Sequence, residues 1–196
     1  MKGFLHSLKH PPRVLEVGID AGTSLIPLLV FLTRTREEFY VVGVDIKVRE
    51  QLAITLNNID VSDKQNLHLV EANSLDVMPK LIESNMKFDL LLLDGDHNYH
   101  TVSKELQYLD ALLEEGGMAI IDDYEGRWAE KDLWYAERDG YQDVKIATQK
   151  IDTEKHGVKT AVDEFLEGTA KWTTSRPIGG EPIVLTRSSG LIKVIK

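Results

Sequence analysis

The segment DGDHNYH, residues 94–100, carries two carboxylates, two imidazoles and a phenol directly after the apolar run FDLLLL. A turn needs only one or two small polar residues, so this density of functional groups indicates a site. Asp96 and His97 are candidates for proton transfer, because carboxylates and imidazoles are common general bases. The alternative is structural: His97 and His100 are then polar residues at a helix start, and Tyr99 packs with its hydroxyl in water.

A second acidic pair, Asp122 and Asp123, follows the apolar run MAII. If the two runs are neighbouring parallel strands, about 4.8 Å apart, Asp94 meets this pair at one edge of the sheet. Two carboxylates about 4 Å apart repel by roughly 4 kcal/mol at an effective dielectric of 20, so the cluster must take up protons, splay into water or bind a cation. A hard ion such as Mg²⁺ suits these ligands. The sequence therefore predicts a metal site at Asp94, Asp122 and Asp123, provided that the chain leaves the strand pleat there.

Apolar runs and helical patterns alternate along the chain and predict the scaffold that holds these residues. We expect a doubly wound α/β sheet, mostly parallel, because strand and helix alternate five times. The fourth strand is apolar on both faces, which is typical of the middle of a parallel sheet. The C-terminal runs on either side of Ser188-Ser189-Gly190 predict an antiparallel strand pair. The predicted strands cover 13–19, 39–46, 66–72, 88–94 and 118–124, and the predicted helices include 76–86, a helix ended by Gly116-Gly117, and 157–166.

Ligands bind at the carboxyl ends of the strands in such a sheet. In EVGIDAGTS, Gly18 and Gly22 permit a tight turn, and Asp45 after the second strand can accept hydrogen bonds from ribose, which together favour adenosine. A dinucleotide fingerprint requires Gly at position 20, where this chain has Asp20, and Glu16 adds a second negative charge that opposes a pyrophosphate. S-adenosylmethionine carries adenosine, a positive sulfonium and no phosphate, so it fits this loop better.

Composition narrows the class of protein. The 196 residues suit one domain, and the net charge of -9 with no basic run argues against nucleic acid and anionic membranes as partners. The chain has no cysteine, which excludes thiol catalysis and cysteine-ligated zinc. No signal sequence or membrane span is apparent, so we expect a cytoplasmic protein. The segment 125–156 has no clear helical or strand period, and we interpret it as an insertion over one edge of the sheet. The aromatic residues of this insertion line a pocket for an acceptor substrate, hold a dimer together or cover that edge.

The ordered motifs VLEVGIDAGTS, VVGVDI, EANSLD, FDLLLLDGDHNY, GGMAIIDDY and GVKTAVDEFL resemble the class I S-adenosylmethionine-dependent methyltransferases, in particular the metal-dependent O-methyltransferase branch that includes small-molecule, sugar and macrolide tailoring enzymes. The resemblance implies methyl transfer to a hydroxyl oxygen of a small molecule. It assigns the metal to Asp94, Asp122 and Asp123, and makes Asp96 either a cofactor contact or the general base. The residues that it assigns to the cofactor are Glu16, Gly18, Gly22, Ser24, Asp45, Asn73, Ser74, Asp94 and Asp96.

Other functions fit part of the pattern. A nicotinamide-dependent oxidoreductase shares the sheet and Asp45, but Asp20 argues against it. A metal-dependent glycosyltransferase uses a DxD motif such as residues 94–96, which leaves the glycine loop unexplained. A non-catalytic S-adenosylmethionine-binding protein fits the cofactor residues equally well. The N-terminal region is short for this family, so we expect a homodimer that helps to close the pocket; the sequence does not identify the acceptor.

Overall fold

The computed structural model describes residues 1–36, 38–58, 66–176 and 180–187. Its seven strands form one sheet. The strands are β1 Arg13–Val17, β2 Tyr40–Asp45, β3 Leu67–Glu71, β4 Phe88–Leu93, β5 Leu113–Ile121, β6 Trp172–Ser175 and β7 Ile183–Arg187. The helices are α1 Lys2–Ser7, α2 Leu25–Thr35, α3 Glu50–Asn58, α4 Ser74–Glu83, α5 Tyr99–Leu112 and α6 Val158–Glu167. None of the helices in these described ranges is long and apolar enough to cross a membrane.

The strand order is β3-β2-β1-β4-β5-β7-β6, with β1 to β5 parallel and β7 antiparallel to both of its neighbours. The expected α/β sheet, mostly parallel with antiparallel C-terminal strands, is therefore confirmed. β4 lies in the middle of the order, as its uniformly apolar sequence predicts. The antiparallel pair consists of β6 and β7, whereas the predicted second arm at 191–196 lies outside the described residues.

Helices cover both faces of the sheet because successive strand side chains point to opposite sides. Leu15 and Leu91 pack with α4, α5 and α6 on one face. Val14 and Leu90 pack with α1, α2 and α3 on the other face. Burial of each such side chain is worth about 1.5–3 kcal/mol. The two apolar layers therefore hold the helices against the sheet, and this fixes the edge at which each connecting loop lies.

The observed helix ends follow from local hydrogen bonds and differ in part from the predicted ones. α4 begins at Ser74 because the Asn73 side chain accepts a hydrogen bond from the Leu75 amide, 2.9 Å away. α5 begins at Tyr99, where Asn98 accepts from the Thr101 amide at 2.8 Å. The prediction that Gly116-Gly117 ends this helix was wrong: α5 ends at Leu112, and the chain enters β5 at once.

Candidate active site

A cavity lies where the carboxyl ends of β1 to β4 meet the segment 125–156. Three side chains of that segment, Tyr135, Tyr141 and Thr148, form part of its wall. The segment therefore crosses the carboxyl ends of the strands, which answers the open question of what it covers. Six of the residues predicted to bind a cofactor line the cavity: Gly18, Asp45, Asn73, Ser74, Asp94 and Asp96. Three others lie outside its wall: Glu16, Gly22 and Ser24.

The loop after β1 passes very close to the loop after β4. Gly18 has φ +82°, and a Cβ atom there would lie 2.0 Å from the Asp94 carbonyl oxygen, so only glycine fits. Asp20 has φ 39°, a left-handed conformation that Asp tolerates better than most residues. Asp at this position is thus compatible with the turn even though the dinucleotide fingerprint has Gly there.

Glu16 lies on β1 behind this loop and is fully buried. Its Oε1 accepts a hydrogen bond from the Ser24 hydroxyl, while Oε2 has no partner among the described residues. Burial raises the pKa of Glu16 to about 7, and the bond from Ser24 opposes that rise. The pair supports the loop from behind and leaves an unsatisfied acceptor that would attract a nearby positive charge.

Asp45 at the end of β2 holds the same loop by its carboxylate. Oδ2 accepts from the amides of Ile19 and Asp20, each at 2.9 Å, and Oδ1 accepts from the amide of Lys47 at 2.9 Å. A carboxylate offers about four lone-pair positions, so Asp45 has room for about one further donor. The predicted ribose contact is therefore one hydrogen bond, donated by a single ribose hydroxyl to Asp45.

The segment 125–156 is tied to the cavity rim by side chains from the β2 and β3 loops. Asn73 uses both amide hydrogens, donating to Ile146 O at 2.9 Å and to Thr148 Oγ1 at 3.0 Å. Lys47 donates to Gly140 O at 2.9 Å, and Arg49 donates to the Tyr141 hydroxyl at 3.0 Å. No residue before Val17 lines the cavity, so the insertion, and not the N-terminal region, covers it.

Asp96 and Ser74 line the cavity, and each is hydrogen-bonded to a buried residue of α5 behind the wall. Asp96 Oδ2 accepts from the Thr101 hydroxyl at 3.0 Å, and the Ser74 hydroxyl donates to Glu105 Oε1 at 2.6 Å. Burial raises the pKa of Asp96, which hydrogen bonds from Thr101 and Asn98 counteract. Because the Asp96 carboxylate is already bound within the wall, this arrangement favours its interpretation as a cofactor contact.

Asp94, which also lines the cavity, converges with His97 and Asp122. One ligand atom from each lies within 4.8 Å of the others, which suits a divalent cation. Enclosure by the protein, together with the charge and the hydrogen bond of Asp122, raises the pKa of Asp94. A cation would relieve this repulsion. The carboxylates of Asp94 and Asp122 suit Mg²⁺ or Mn²⁺, and the imidazole of His97 lies beside the position that such a cation would take.

Asp123 is not part of this converging group in the described residues, although the sequence assigns it to the metal. β5 ends at Ile121, and Asp123 has φ 55°, so the chain has left the pleat as the prediction required. The departure turns the Asp123 carboxylate toward the imidazole: Oδ2 lies 3.4 Å from His97 Nδ1, and His97 Nε2 lies 3.7 Å from Asp94 Oδ1. Asp123 therefore contacts His97 through the ring nitrogen that does not face Asp94.

The remaining polar residues of DGDHNYH have structural partners. Asn98 caps α5. Tyr99 donates its hydroxyl to Glu164 at 2.7 Å, and His100 stands beside Trp134 with ring centroids 6.4 Å apart. Burial lowers the pKa of His97, while the charges of Asp123 and Asp122 oppose that effect, so the neutral imidazole is favoured.

Sequence reasoning missed Glu105, Tyr141 and Thr148, whereas Tyr135 is one of the aromatic residues of the insertion for which pocket lining was one of the predicted roles. Glu105 had a visible signal, because it falls between Val102, Leu106 and Leu109 on the apolar face of α5, where a carboxyl group needs a partner. Tyr141 and Thr148 had none, since the insertion has neither a helical nor a strand period.

A doubly wound sheet with a glycine turn after β1, an acid after β2 and a cavity at the carboxyl ends defines a Rossmann-like nucleoside-binding protein. Within that class the assignment is direct: residues 15–124 match the profile of the methyltransferase domain family, and the chain belongs to this family. A search of curated proteins found no matching sequence.

Solved structures share the fold at low sequence identity. The O-methyltransferase TomG from Streptomyces achromogenes, involved in tomaymycin synthesis and solved with SAM, is 18% identical with TM-score 0.61, covering 96% of this chain and 78% of that one. An O-methyltransferase from Bacillus cereus solved with SAH is 15% identical with TM-score 0.56, covering 95% and 78%. MycE from the mycinamycin pathway, solved with Mg, SAH and mycinamycin VI, is 14% identical with TM-score 0.57; the match covers 98% of this chain and 50% of MycE.

Proposed function

We propose that this methyltransferase moves the methyl group of S-adenosylmethionine to a hydroxyl oxygen of a small molecule, assisted by a divalent cation. The observation that carries the proposal is the convergence of Asp94, His97 and Asp122, because Asp94 also lines the cavity whose wall includes Asp45 and Ser74. A nucleoside cofactor and a metal-bound acceptor would then meet near Asp94.

Asp45 in the cavity wall and Glu16 behind it suit two parts of the cofactor. Asp45 has room for a ribose hydroxyl, and the unpartnered Oε2 of Glu16 adds negative potential near the loop that would hold the methionine part. The acidic surroundings attract the sulfonium and repel a pyrophosphate, which favours S-adenosylmethionine over a nicotinamide dinucleotide. SAM or SAH bound in TomG and the Bacillus cereus enzyme is consistent with this assignment.

Asp94 and Asp122 would hold the cation, and a bound cation would lower the pKa of an acceptor hydroxyl, a vicinal diol above all. His97 is the group we assign to proton removal, because burial lowers the pKa of its imidazole and the ring lies beside both carboxylates. The acceptor oxygen attacks the methyl carbon, the S–CH₃ bond breaks as the O–CH₃ bond forms, and the acceptor proton passes to His97. Asp123 would orient the imidazole from Nδ1, 3.4 Å away.

The test has two stages that separate binding from catalysis. Calorimetric titration of SAH into the protein measures cofactor binding, with reduced nicotinamide dinucleotide as the comparison ligand. Turnover is then followed by mass spectrometry with a panel of phenols, sugars and other diols, with Mg²⁺ or with excess chelator. Binding of SAH together with methylation of a diol supports the proposal, whereas SAH binding without turnover on any acceptor identifies a non-catalytic cofactor-binding protein.

A variant pair sharpens the second stage. His97→Asn keeps a polar side chain but removes the basic nitrogen, so kcat should fall by about 10²- to 10⁴-fold while SAH affinity stays the same. Glu114→Gln, on the exposed start of β5 away from the cavity, is the matched control and should behave as the wild type. Full turnover in His97→Asn would exclude His97 as the base.

A further inference from the structure

Three cationic side chains of the segment 125–156 line one surface depression: Arg138, Lys150 and His156. Two of them are paired with acids. Lys150 Nζ lies 3.5 Å from Glu137 Oε2, and His156 Nδ1 lies 2.8 Å from Asp132 Oδ2. Arg138 is exposed and forms no ion pair with any residue that the structure describes. Its positive charge is therefore available to a ligand.

The Arg138 guanidinium is a neighbour of the converging group at the active site. Its Cζ lies 5.4 Å from the centroid of the Tyr135 ring, and the centroid of the same ring lies 6.5 Å from that of the His97 imidazole. Burial lowers the pKa of His97, and the positive charge of Arg138 adds to this effect. The guanidinium is thus within electrostatic reach of the residue that we assign to proton removal.

Arg138 lies beside the cofactor cavity but is not part of its wall, whereas Tyr135 is part of that wall. With the cofactor in this cavity, an acceptor can reach Asp94 and His97 only from outside the space that the cofactor fills. Arg138 stands outside that space, over a ring that also lies beside His97. An acceptor whose hydroxyl is at His97 can therefore extend along Tyr135 to the guanidinium.

We propose that Arg138 binds an acidic group of the methyl acceptor, so that the preferred substrates are hydroxy compounds that carry a carboxylate. This inference rests on the proposed function and names the substrate class of the same site. A guanidinium presents parallel N–H donors that match the two oxygens of a carboxylate. Stacking over Tyr135 uses the flat face of the guanidinium and leaves the N–H groups at its edge free to donate.

The acidic surroundings oppose such a ligand, and the distances decide which effect is larger. The net charge of -9 acts mostly from afar, and charges farther away than about 8 Å are largely screened at physiological salt. A carboxylate in contact with Arg138 is not screened in this way. Repulsion by Asp94 and Asp122 weakens with distance, so the carboxylate must lie at the end of the acceptor that is remote from the reacting hydroxyl.

The test uses two pairs of acceptors that differ in one charge: protocatechuate, a catechol with one carboxylate, against its neutral amide, and glucuronate against glucuronamide. Each compound is titrated calorimetrically into the protein saturated with SAH and Mg²⁺, so that binding is measured without turnover. At least one acid should bind about 5- to 30-fold more tightly than its amide, the range for one charge-assisted pair that is partly exposed.

Arg138→Gln should reduce this ratio to about twofold or less, because it removes the charge and the paired donors. Arg127→Gln is the matched control: it makes the same change in the same segment, at an arginine that also lies over an aromatic ring, with Cζ 4.9 Å from the centroid of Trp128. This control should keep the wild-type ratio. An Arg138 that only fastens the segment or offsets nearby acids would affect acid and amide equally and leave the ratio unchanged.

The outcomes separate the two proposals. If neither acid binds more tightly than its amide, or if Arg138→Gln keeps the full preference, the role of Arg138 is refuted, and methylation of any other acceptor shows that the proposed function stands. If the folded protein binds SAH but methylates no acceptor of any charge, the proposed function is refuted, and the role of Arg138 falls with it.

Discussion

Glu105→Gln should change how the stability of the protein depends on pH, independently of any ligand. The pKa of Glu105 rises from an ordinary 4.5 to about 8 in the folded protein, with burial as the main cause. Between these values the folded state binds a proton that the unfolded state has released. The free energy of unfolding therefore decreases as pH rises through this window, by about 1.36 kcal/mol for each pH unit.

The size of the effect follows from that slope. Between about pH 5.5 and 7.5 the wild type should lose about 2.7 kcal/mol of stability that Glu105→Gln does not lose. Burial also raises the pKa of Glu16 and Asp94, which act in the same direction. They are present in both proteins, so the difference between the two curves isolates Glu105.

Urea unfolding followed by circular dichroism, at half-unit pH intervals, measures this difference directly. Loss of the preferred hydrogen bond with Ser74 shifts the Glu105→Gln curve by a constant, which leaves the slope unaffected. Glu114→Gln should run parallel to the wild type, because this side chain is exposed. Parallel curves for the wild type and Glu105→Gln would show that Glu105 titrates as in water and would refute the reasoning.

Three further predictions concern the site and the assembly. Excess chelator should abolish turnover and leave SAH affinity largely intact, Mg²⁺ or Mn²⁺ should restore it, and Asp122→Asn should reproduce the chelated state; full activity in chelator would exclude a metal role. Asp45→Ala should weaken SAH by at least about 1.5–3 kcal/mol by calorimetry, since it removes a ribose acceptor and releases the amides of Ile19 and Asp20; unchanged affinity would remove Asp45 from the site. Light scattering at high micromolar concentration should give the mass of a homodimer, and a monomer would contradict the prediction that the aromatic residues of segment 125–156 hold two copies together.

The parallel part of the sheet could be predicted because its strands are short apolar runs that end at loops of distinct composition. β4 was assigned to the centre from its two apolar faces alone, and the loops after β1, β2 and β4 were assigned to one edge from the rule for parallel sheets. Those inferences depend only on the direction of the strands and on the period of the apolar residues, and both can be read from a single sequence. β6 was not predicted, because the run at 172–175 is short and mostly exposed.

Side-chain direction was harder to predict, because it depends on where each chain leaves its element. Asp122 and Asp123 are adjacent in sequence, yet one joins the converging group and the other turns toward His97, since the positive φ of Asp123 redirects its side chain. Asp45 illustrates the same limit. Its position in the cavity wall could be predicted from the end of β2, but its hydrogen bonds with the loop amides could not.

The cavity also depends on contacts between distant segments that no local pattern reports. Tyr135 and Tyr141, with ring centroids 5.0 Å apart, are held over the strand ends by Lys47, Arg49 and Asn73. Each tie joins a loop after β2 or β3 to residues far along the chain, so none is visible as a period or a motif. The sheet determines where a cofactor can bind, while these ties determine which groups of the segment 125–156 face it.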